Sequence, residues 1–430
     1  MKNLRSGLPL FILFIAVGSF LAGTYSYRRV TDTELNSFQT RALVLHGDVD
    51  LNRFPRAHSP AFFALNRNGH RYSIYGVGVS VVAAPIYAVL ARVTSSEPLL
   101  QGAVAIPFVA AAIVLMYLCL SRLVNRTIAL AGTIVFGFGT TMWPLASMAL
   151  FQHGPVAFFQ VLGLIGLFAN TRRAPALAGA GLGMALFIRP TTAIGFGVVA
   201  LYYLTTGVRR SALFALGSAV PIAGILIQNR WIWGTWWTGG YSHSGVAFDG
   251  DIPSALWGLT FGLWRGVFVY SPVLIVAVAG MVMACRNIGD GVARRLAALG
   301  LGSIGTLLFY SRWSTWHNGF NQFGYRYLLD IVPFLIVLGS YAVARSERVR
   351  SVAMPLAALS IMTTTLGAAP NNFGLDGVPF ATKLEDTSLG QAWTIFIDRP
   401  DQGLIRLLGV TLIALMFVRF APPSEHRAPA

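Results

Sequence analysis

Apolar segments recur along the whole chain and are separated by short loops that carry most of the polar residues. A helix needs about 20 apolar residues to cross the roughly 30 Å of hydrocarbon in a bilayer. The pattern therefore predicts an all-α, polytopic membrane protein with about 12 transmembrane helices. We place these at residues 8–26, 99–121, 127–148, 154–170, 174–188, 191–207, 212–228, 266–285, 296–311, 327–345, 351–368 and 403–420.

One further apolar segment, residues 74–92, is predicted not to cross. It contains Gly76, Gly78 and Pro85, and a crossing there would put the first long loop and the later long loops on opposite faces. We therefore expect a juxtamembrane or re-entrant helix. Residues 1–420 then form a single integral membrane domain, and 421–430 form a disordered cytoplasmic tail.

The arginines predict which face each loop occupies. Clusters such as Arg172/Arg173 and Arg209/Arg210 fall in every second loop, and the positive-inside rule places those loops in the cytoplasm with both termini. The outer face then receives residues 27–98, 229–265, 312–326 and 369–402. Thirteen of the 16 acids lie in or beside these segments, with Asp48 and Asp50 expected in turns. We expect a bacterial-type plasma membrane, with the polar chemistry facing outside or the periplasm.

Composition excludes several classes of protein. The chain is 55% apolar and 11% charged, whereas soluble globular domains carry about 25% charged residues. The net charge of +16 comes from dispersed arginines without a basic block, which indicates phospholipid as a partner and no nucleic acid. Two distant cysteines support neither a disulfide framework nor a zinc site. The apolar segment near the N-terminus is expected to be an uncleaved first span.

Two acids follow that span directly, in the motif TDTE. At the membrane surface, Asp32 or Glu34 can take a proton from an attacking hydroxyl group. A structural alternative is that Thr31 or Asp32 caps a helix over residues 33–45, with Glu34 in its first turn.

Two later features lie at the ends of predicted spans: a single arginine and a loop rich in aromatic residues. Arg189 follows the fifth span, where a guanidinium either snorkels to the interface or binds an anion such as a lipid-linked phosphate. Residues 228–241 pack four Trp and one Tyr beside Asn229 and a Gly-Gly pair. This loop is typical of an interfacial aromatic belt, and it equally suits a sugar platform in which Asn229 and Tyr241 contact the sugar.

The most informative motif is WSTWHNGFNQFGYRYLLD, residues 313–330. It joins rings, amides, a titratable His317 and Arg326 at the mouth of a span. An alternative interpretation pairs Arg326 with Asp330 as an i, i+4 salt bridge. The candidate sugar or acceptor contacts in this motif are Trp313, Trp316 and Asn318.

The order of these features resembles the GT-C superfamily of multi-span glycosyltransferases, which use polyprenyl-phosphate sugars. The similarity lies in the acidic pair before "GDVDLN", in "NGHRYSIYGVGVSVVAAPIYAVL", and in the late "W-x-x-W" motif with its arginine. Members include protein O-mannosyltransferases, aminoarabinose transferases of lipid A and mycobacterial-type arabinofuranosyltransferases. The resemblance implies a GT-C-like fold with juxtamembrane helices after the first loop, and transfer with inversion.

The resemblance also implies roles for residues. Asp32 maps onto the catalytic base, with Glu34 as the alternate, and Arg326, Arg189 and His317 are expected to bind the donor phosphate. Many members carry a second acid at the outer end of the third span, whereas this chain has Phe-Gln-His-Gly at 151–154. A divalent metal is therefore unsupported and no cofactor is assigned. The expected contacts to sugar or phosphate at this point are Gln152 and His153, although His153 also fits an ordinary interfacial histidine.

The sequence thus predicts transfer of a sugar from a polyprenyl-phosphate donor to a hydroxyl of a glycan, lipid or protein acceptor. Three alternatives stay open: a transporter or flippase of lipid-linked sugar, a non-catalytic membrane subunit of an envelope-assembly complex, and a lipid-linked oligosaccharide ligase.

Overall fold

A computed structural model describes residues 2–27, 30–59, 63–245, 247–317, 322–368 and 383–423, with the backbone alone for residues 2–6. Within these ranges the chain is helical apart from one two-stranded hairpin, which confirms the predicted all-α class. The first nine α-helices are α1 (Lys2–Gly23), α2 (Thr31–His46), α3 (Gly78–Leu90), α4 (Glu97–Leu120), α5 (Arg126–Phe138), α6 (His153–Phe168), α7 (Ala174–Ile188), α8 (Ala193–Leu204) and α9 (Val208–Gln228).

The second half continues with α10 (Ile252–Thr260), α11 (Val267–Tyr270), α12 (Val276–Arg286), α13 (Gly291–Arg312), α14 (Val332–Arg345), α15 (Glu347–Gly367), α16 (Ser388–Asp398) and α17 (Pro400–Phe420). Short 3-10 turns lie at Pro55–His58, Pro190–Thr192, Gly240–His243, Pro272–Ile275, Arg326–Ile331 and Leu384–Asp386, and π-helical turns at Met142–Ala146 and Asn229–Trp233.

Six helical segments in the described part of the chain are long and apolar enough to cross a membrane. They are Glu97–Leu120, Val208–Trp233, Gly291–Arg312, Arg326–Arg345, Glu347–Gly367 and Pro400–Phe420. Every other predicted span contains a shorter apolar helix, and α3 occupies the segment predicted not to cross. With 13 residues and a rise of 1.5 Å each, α3 is about 20 Å long, the same as α5, so helix length does not separate this segment from the predicted spans.

Two predicted spans are interrupted, and each contains a proline at or after the break. Helix α5 ends at Phe138 instead of continuing to residue 148, and a π-helical turn around Pro144 follows. The predicted span 266–285 is divided into α11, a 3-10 turn that begins at Pro272, and α12. Proline disfavours a continuous helix, but α4, α9 and α15 each contain an internal proline without a break, so proline alone does not account for the two interruptions.

The hairpin was not predicted from the sequence. Strands β1 (Ala64–Arg67) and β2 (His70–Ser73) pair antiparallel around Asn68 and Gly69. Both turn residues have positive φ, 52° and 81°, as a two-residue type I′ turn requires. The Asn-Gly dipeptide is a strong hairpin signal, so the sequence did carry the information.

Helices α6, α7 and α9 pack closely because small residues line their contacts. A Cβ atom added at Gly179 on α7 would lie 2.1 Å from the carbonyl oxygen of Phe214 on α9, and one at Gly217 would lie 2.0 Å from that of Ala176. Such close backbone approach is typical of helix packing in membranes. The outer side of α9 is apolar and open, with Leu216 69% and Val220 79% exposed, as lipid contact requires.

The long loops assigned to one face do meet in space. The rings of Tyr75 and Tyr241 lie 5.9 Å apart, and those of Tyr241 and Trp313 lie 5.7 Å apart. The Ser314 hydroxyl donates to the carbonyl oxygen of Ala247 at 3.0 Å. The described parts of three predicted outer segments therefore form one assembly at one end of the helix bundle.

Candidate functional site

A small buried cavity lies where these loops meet the helix ends. It holds about 10 Å³, which is room for about one water molecule, and draws its lining from helix α2, the segment before α3, the start of α6, the end of α7 and the turn before α14. The lining residues are Asp32, Asn36, Tyr75, Phe151, Gln152, His153, Arg189 and Arg326. Five of them, Asp32, Gln152, His153, Arg189 and Arg326, were predicted site residues.

Asp32 is held in this cavity from two sides. One carboxylate oxygen accepts a hydrogen bond from the Tyr75 hydroxyl at 2.7 Å, and the other forms an ion pair with the Arg326 guanidinium. Helix α2 begins at Thr31 after Val30, and no side chain caps it. Thr31 and Asp32 therefore do not cap the helix, whereas Glu34 lies in its first turn, as the structural alternative expected; the Asp32 carboxylate contacts Tyr75 and Arg326.

The predicted salt bridge between Arg326 and Asp330 is also wrong. The two residues belong to a 3-10 turn, Arg326–Ile331, where three residues complete a turn and positions i and i+4 face different directions. Arg326 instead contacts Asp32, donates to Oε1 of Gln322 at 3.2 Å, and lies 5.7 Å from the ring centre of Phe151.

Asp330 forms a second buried ion pair behind the cavity. Its carboxylate accepts from Arg189 Nε at 2.7 Å and from the Thr191 hydroxyl at 2.9 Å, and it lies 3.2 Å from His153 Nδ1. A buried charge needs a partner to offset lost hydration, so the guanidinium and the carboxylate hold each other in place. Arg189 therefore does not snorkel to an interface.

The remaining donors of Arg189 organise its surroundings. Nη1 donates to Oε1 of Gln152 at 3.2 Å, and Nη2 donates to the Tyr310 hydroxyl at 2.9 Å. The first bond fixes the Gln152 amide so that its NH₂ group faces the cavity. Arg189 thus orients a cavity residue while its own charge is balanced by Asp330.

Several buried polar atoms of the cavity lining have no hydrogen-bond partner among the described residues. They are Asn36 Oδ1, Gln152 Nε2, His153 Nε2 and Arg326 Nε. Buried polar groups in folded proteins are nearly always hydrogen-bonded, and a cluster of unpaired ones needs an explanation. Four such atoms supply both donors and acceptors, but the space between them admits only about one water molecule, so a sugar or a phosphate fits only after Asp32 and Arg326 move apart.

An aromatic wall adjoins the cavity. Tyr241 packs against Tyr75 and Trp313, and the Trp313 ring lies stacked 6.1 Å from Tyr327 and 5.9 Å from Tyr310. The Tyr310 hydroxyl in turn binds Arg189. Tyr241 and Trp313 therefore pack behind the residues that line the cavity.

Other predicted residues lie outside this cavity. Glu34 forms an ion pair with Arg56 at 2.8 Å, and the Asn229 amide donates to the carbonyl oxygen of Trp236 at 3.3 Å. Trp316 packs over Gly258, where an added Cβ would lie 2.1 Å from the ring. Asn318 lies outside the described residues.

His317 does not line the cavity; it lies close to Arg265, a residue that the sequence analysis did not identify. The His317 carbonyl oxygen accepts from the Trp264 indole at 2.8 Å, and the buried Arg265 lies nearby. Burial and the positive charge of Arg265 hold the pKa of His317 below its usual value. The imidazole is therefore neutral at pH 7 and can donate one hydrogen bond but adds no charge.

Sequence reasoning missed three residues of the site, Asn36, Tyr75 and Tyr310. It also did not pair Asp330 with Arg189. Asn36 follows Asp32 by four positions on the same helix, which places both on one face and gave a usable signal. Its amide donates to the carbonyl oxygen of Leu150 at 2.9 Å. The others come from distant segments, and no local pattern distinguishes them.

No group of three or more His, Cys, Asp and Glu side chains suited to a metal ion occurs in the described ranges. The site belongs to a helical chain with membrane-length helices and a buried cavity of paired charges. No protein-family model matches the chain, and no curated protein matches it.

Proposed function

We propose that this protein is an integral-membrane glycosyltransferase of the GT-C type, which moves a sugar from a polyprenyl-phosphate donor to an acceptor hydroxyl. One observation carries the proposal. Asp32 and Arg326, far apart in sequence, face each other in a buried cavity whose lining presents unpaired donors and acceptors. This reaction needs a base, a cationic group that binds the phosphate, and groups that hydrogen-bond the sugar.

In the proposed reaction, the donor phosphate takes the place of the Asp32 carboxylate on Arg326. An Arg guanidinium binds phosphate oxygens through two parallel hydrogen bonds, and it offsets the charge that develops on the departing phosphate. Asp32 is then free to accept a proton.

The acceptor oxygen attacks the anomeric carbon from the side opposite the phosphate. The bond from that carbon to the phosphate oxygen breaks, its electron pair leaves with the polyprenyl phosphate, and the acceptor proton passes to Asp32. The configuration inverts. No nucleotide is consumed, because the lipid phosphate is itself the leaving group.

The other site residues take supporting roles in this proposal. Gln152, His153 and Asn36 hydrogen-bond the sugar, because their unpaired atoms line the cavity. Arg189 is already paired with Asp330 and holds Gln152, so we assign it to positioning and leave the donor phosphate to Arg326.

The twelve-span topology belongs to the same proposal. We place the cavity on the outer face of a bacterial-type plasma membrane and both termini inside. The support is that the described outer segments meet at the cavity end, whereas arginine-rich loops lie at the other end of α6, α7 and α13. The acceptor is a hydroxyl of a glycan, a lipid or a protein.

The test is transfer itself. The purified protein in nanodiscs is given synthetic polyprenyl-phosphate sugars with a radiolabelled sugar, together with membrane extracts as acceptor. We expect the label to enter an acceptor while free polyprenyl phosphate appears in equal amount. Movement of intact donor across vesicle membranes without covalent product would instead support a flippase.

A further inference from the structure

A second cavity lies at the other end of the helix bundle. It encloses about 290 Å³ where the loops α6–α7 and α8–α9 meet the first turns of α13. Its lining brings together four arginines: Arg172, Arg209, Arg210 and Arg295.

This cavity is distinct from the candidate active site. Helix α13 carries Arg295 near its start and Tyr310 near its end, and fifteen residues at 1.5 Å each separate the two by about 22 Å. Helices α6 and α7 run between the same two ends.

The charge of the second cavity is not balanced by the protein. None of its lining residues is acidic, and its four arginines form no ion pair with any acid in the described ranges. The first turns of α7 and α9, which border it, also lack acids. Arg172, Arg209 and Arg210 are exposed, so water screens part of the repulsion among the four guanidinium groups, and an anion between them would lower it further.

The lining offers two kinds of hydrogen-bonding group, the N–H groups of the arginines and the tyrosine hydroxyl of Tyr202. Arg295 Nε donates to the Tyr202 hydroxyl at 3.0 Å, which fixes one face of its guanidinium and leaves its terminal nitrogens for a ligand. The planar fork of arginine matches the paired oxygens of a phosphate.

Part of the lining is apolar. Leu167, Ala174, Pro175 and Leu213 contribute this part, beside the arginines. An anion bound here would have its charged group against the arginines and its attached chains against apolar side chains. That division matches a phospholipid.

We propose that this cavity binds the phosphate of an anionic phospholipid. The bound phosphate would link the α6–α7 loop, the α8–α9 loop and the start of α13. The site is separate from the reaction proposed above and does not depend on it.

The test uses neighbouring arginines as a matched control. R172Q/R295Q removes two charges from the lining, and R173Q/R294Q removes the adjacent pair, which is exposed and does not line the cavity. Native mass spectrometry of the full-length protein in detergent measures the affinity of the first bound phosphatidylglycerol, with phosphatidylcholine as the zwitterionic comparison.

We expect the wild type to prefer phosphatidylglycerol over phosphatidylcholine. R172Q/R295Q should bind phosphatidylglycerol about tenfold more weakly, which corresponds to about 1.4 kcal/mol. R173Q/R294Q should bind it as the wild type does. A further variant, R172K/R295K, keeps the charges and serves if the first variant does not fold; it should retain most of the preference.

Equal weakening by both glutamine pairs would overturn the proposal, because the effect would then reflect net charge alone. The absence of any preference for phosphatidylglycerol in the wild type would also overturn it. A third arm adds soluble glycerol phosphate, and binding of this anion as tight as that of the lipid would overturn the assignment to a phospholipid.

Discussion

At the residue scale, the buried pair of Asp330 and Arg189 is the contact whose loss should cost most. Both side chains are buried, and the carboxylate also binds Thr191. Replacing Asp330 with Asn leaves the Arg189 charge unpaired, and removing one partner of a buried pair typically costs about 3–5 kcal/mol.

We therefore expect D330N to lower the free energy of unfolding by about that amount, measured by denaturant titration in detergent. The control is D48N, which breaks the exposed ion pair between Asp48 and Arg53, 2.7 Å apart. Exposed pairs contribute about 0–1 kcal/mol. Equal losses in the two variants would contradict a buried network around Asp330.

The sequence alone did not show which charged residues pair with each other in the site. Local spacing suggested Arg326 with Asp330, yet the 3-10 turn separates them and each pairs with a residue from another helix. Asp32, Gln152, His153, Arg189 and Arg326 were all identified because polar groups at the ends of apolar segments need a reason to be there.

At the scale of elements, small residues decide how closely α7 and α9 approach. Alanine at Gly179 would place Cβ 2.1 Å from the Phe214 carbonyl oxygen and push the helices apart. We expect G179A to destabilise the protein by about 1–3 kcal/mol, as overpacking does. Gly197 on α8 has no atom within 4 Å of such a Cβ, so G197A should be neutral or stabilise by about 0.5–1 kcal/mol. Denaturant titration of both variants checks the pair, and a stable G179A would show that the helices are not in close contact.

The β-hairpin depends on Asp50, which accepts from His70 and from the backbone N–H groups of Asn52 and Arg71. Burial of the carboxyl opposes ionisation, but these hydrogen bonds together hold the pKa of Asp50 below its usual 3.8. A lowered folded pKa stabilises the fold above the unfolded pKa, and this stability is lost as the pH falls through the folded value.

We therefore expect D50N to speed amide exchange in residues 64–73 at pH 7 and to match the wild type only well below pH 3.8, once intrinsic exchange rates are corrected. Hydrogen exchange with mass spectrometry measures this. Equal protection at pH 7 would mean that Asp50 does not hold the hairpin.

The presence of helices was predictable from the apolar segments, whereas their internal breaks were not. Every predicted apolar segment contains a helix, but two of these segments are interrupted, near Gly139 and near Ser271. The hairpin was missed although Asn68 and Gly69 signalled it, because helical patterns dominated the interpretation.

At the scale of the whole molecule, the proposed orientation can be tested with single cysteines. The native cysteines are Cys119, which is buried, and Cys285, which is exposed and is replaced by Ser for this test. Trp237 lies in a predicted outer segment and Val208 in the opposite loop, and both are more than four-fifths exposed.

In intact cells we expect W237C to react with a membrane-impermeant maleimide and V208C to react only after permeabilisation. The reverse pattern would invert the topology and move the candidate site to the cytoplasmic face. Labelling of both residues in intact cells would contradict the separation of the two ends by a membrane.

The most direct test compares Asp32 with Glu34 in the transfer assay. Both acids lie in the first turn of α2, with 7% and 6% exposure, but only Asp32 lines the cavity. We predict that D32N lowers the rate of sugar transfer about 10²–10⁴-fold, the usual contribution of a general base, while E34Q transfers at close to the wild-type rate and both variants remain folded. Transfer by D32N at the wild-type rate, or an equal loss in E34Q, would contradict the account.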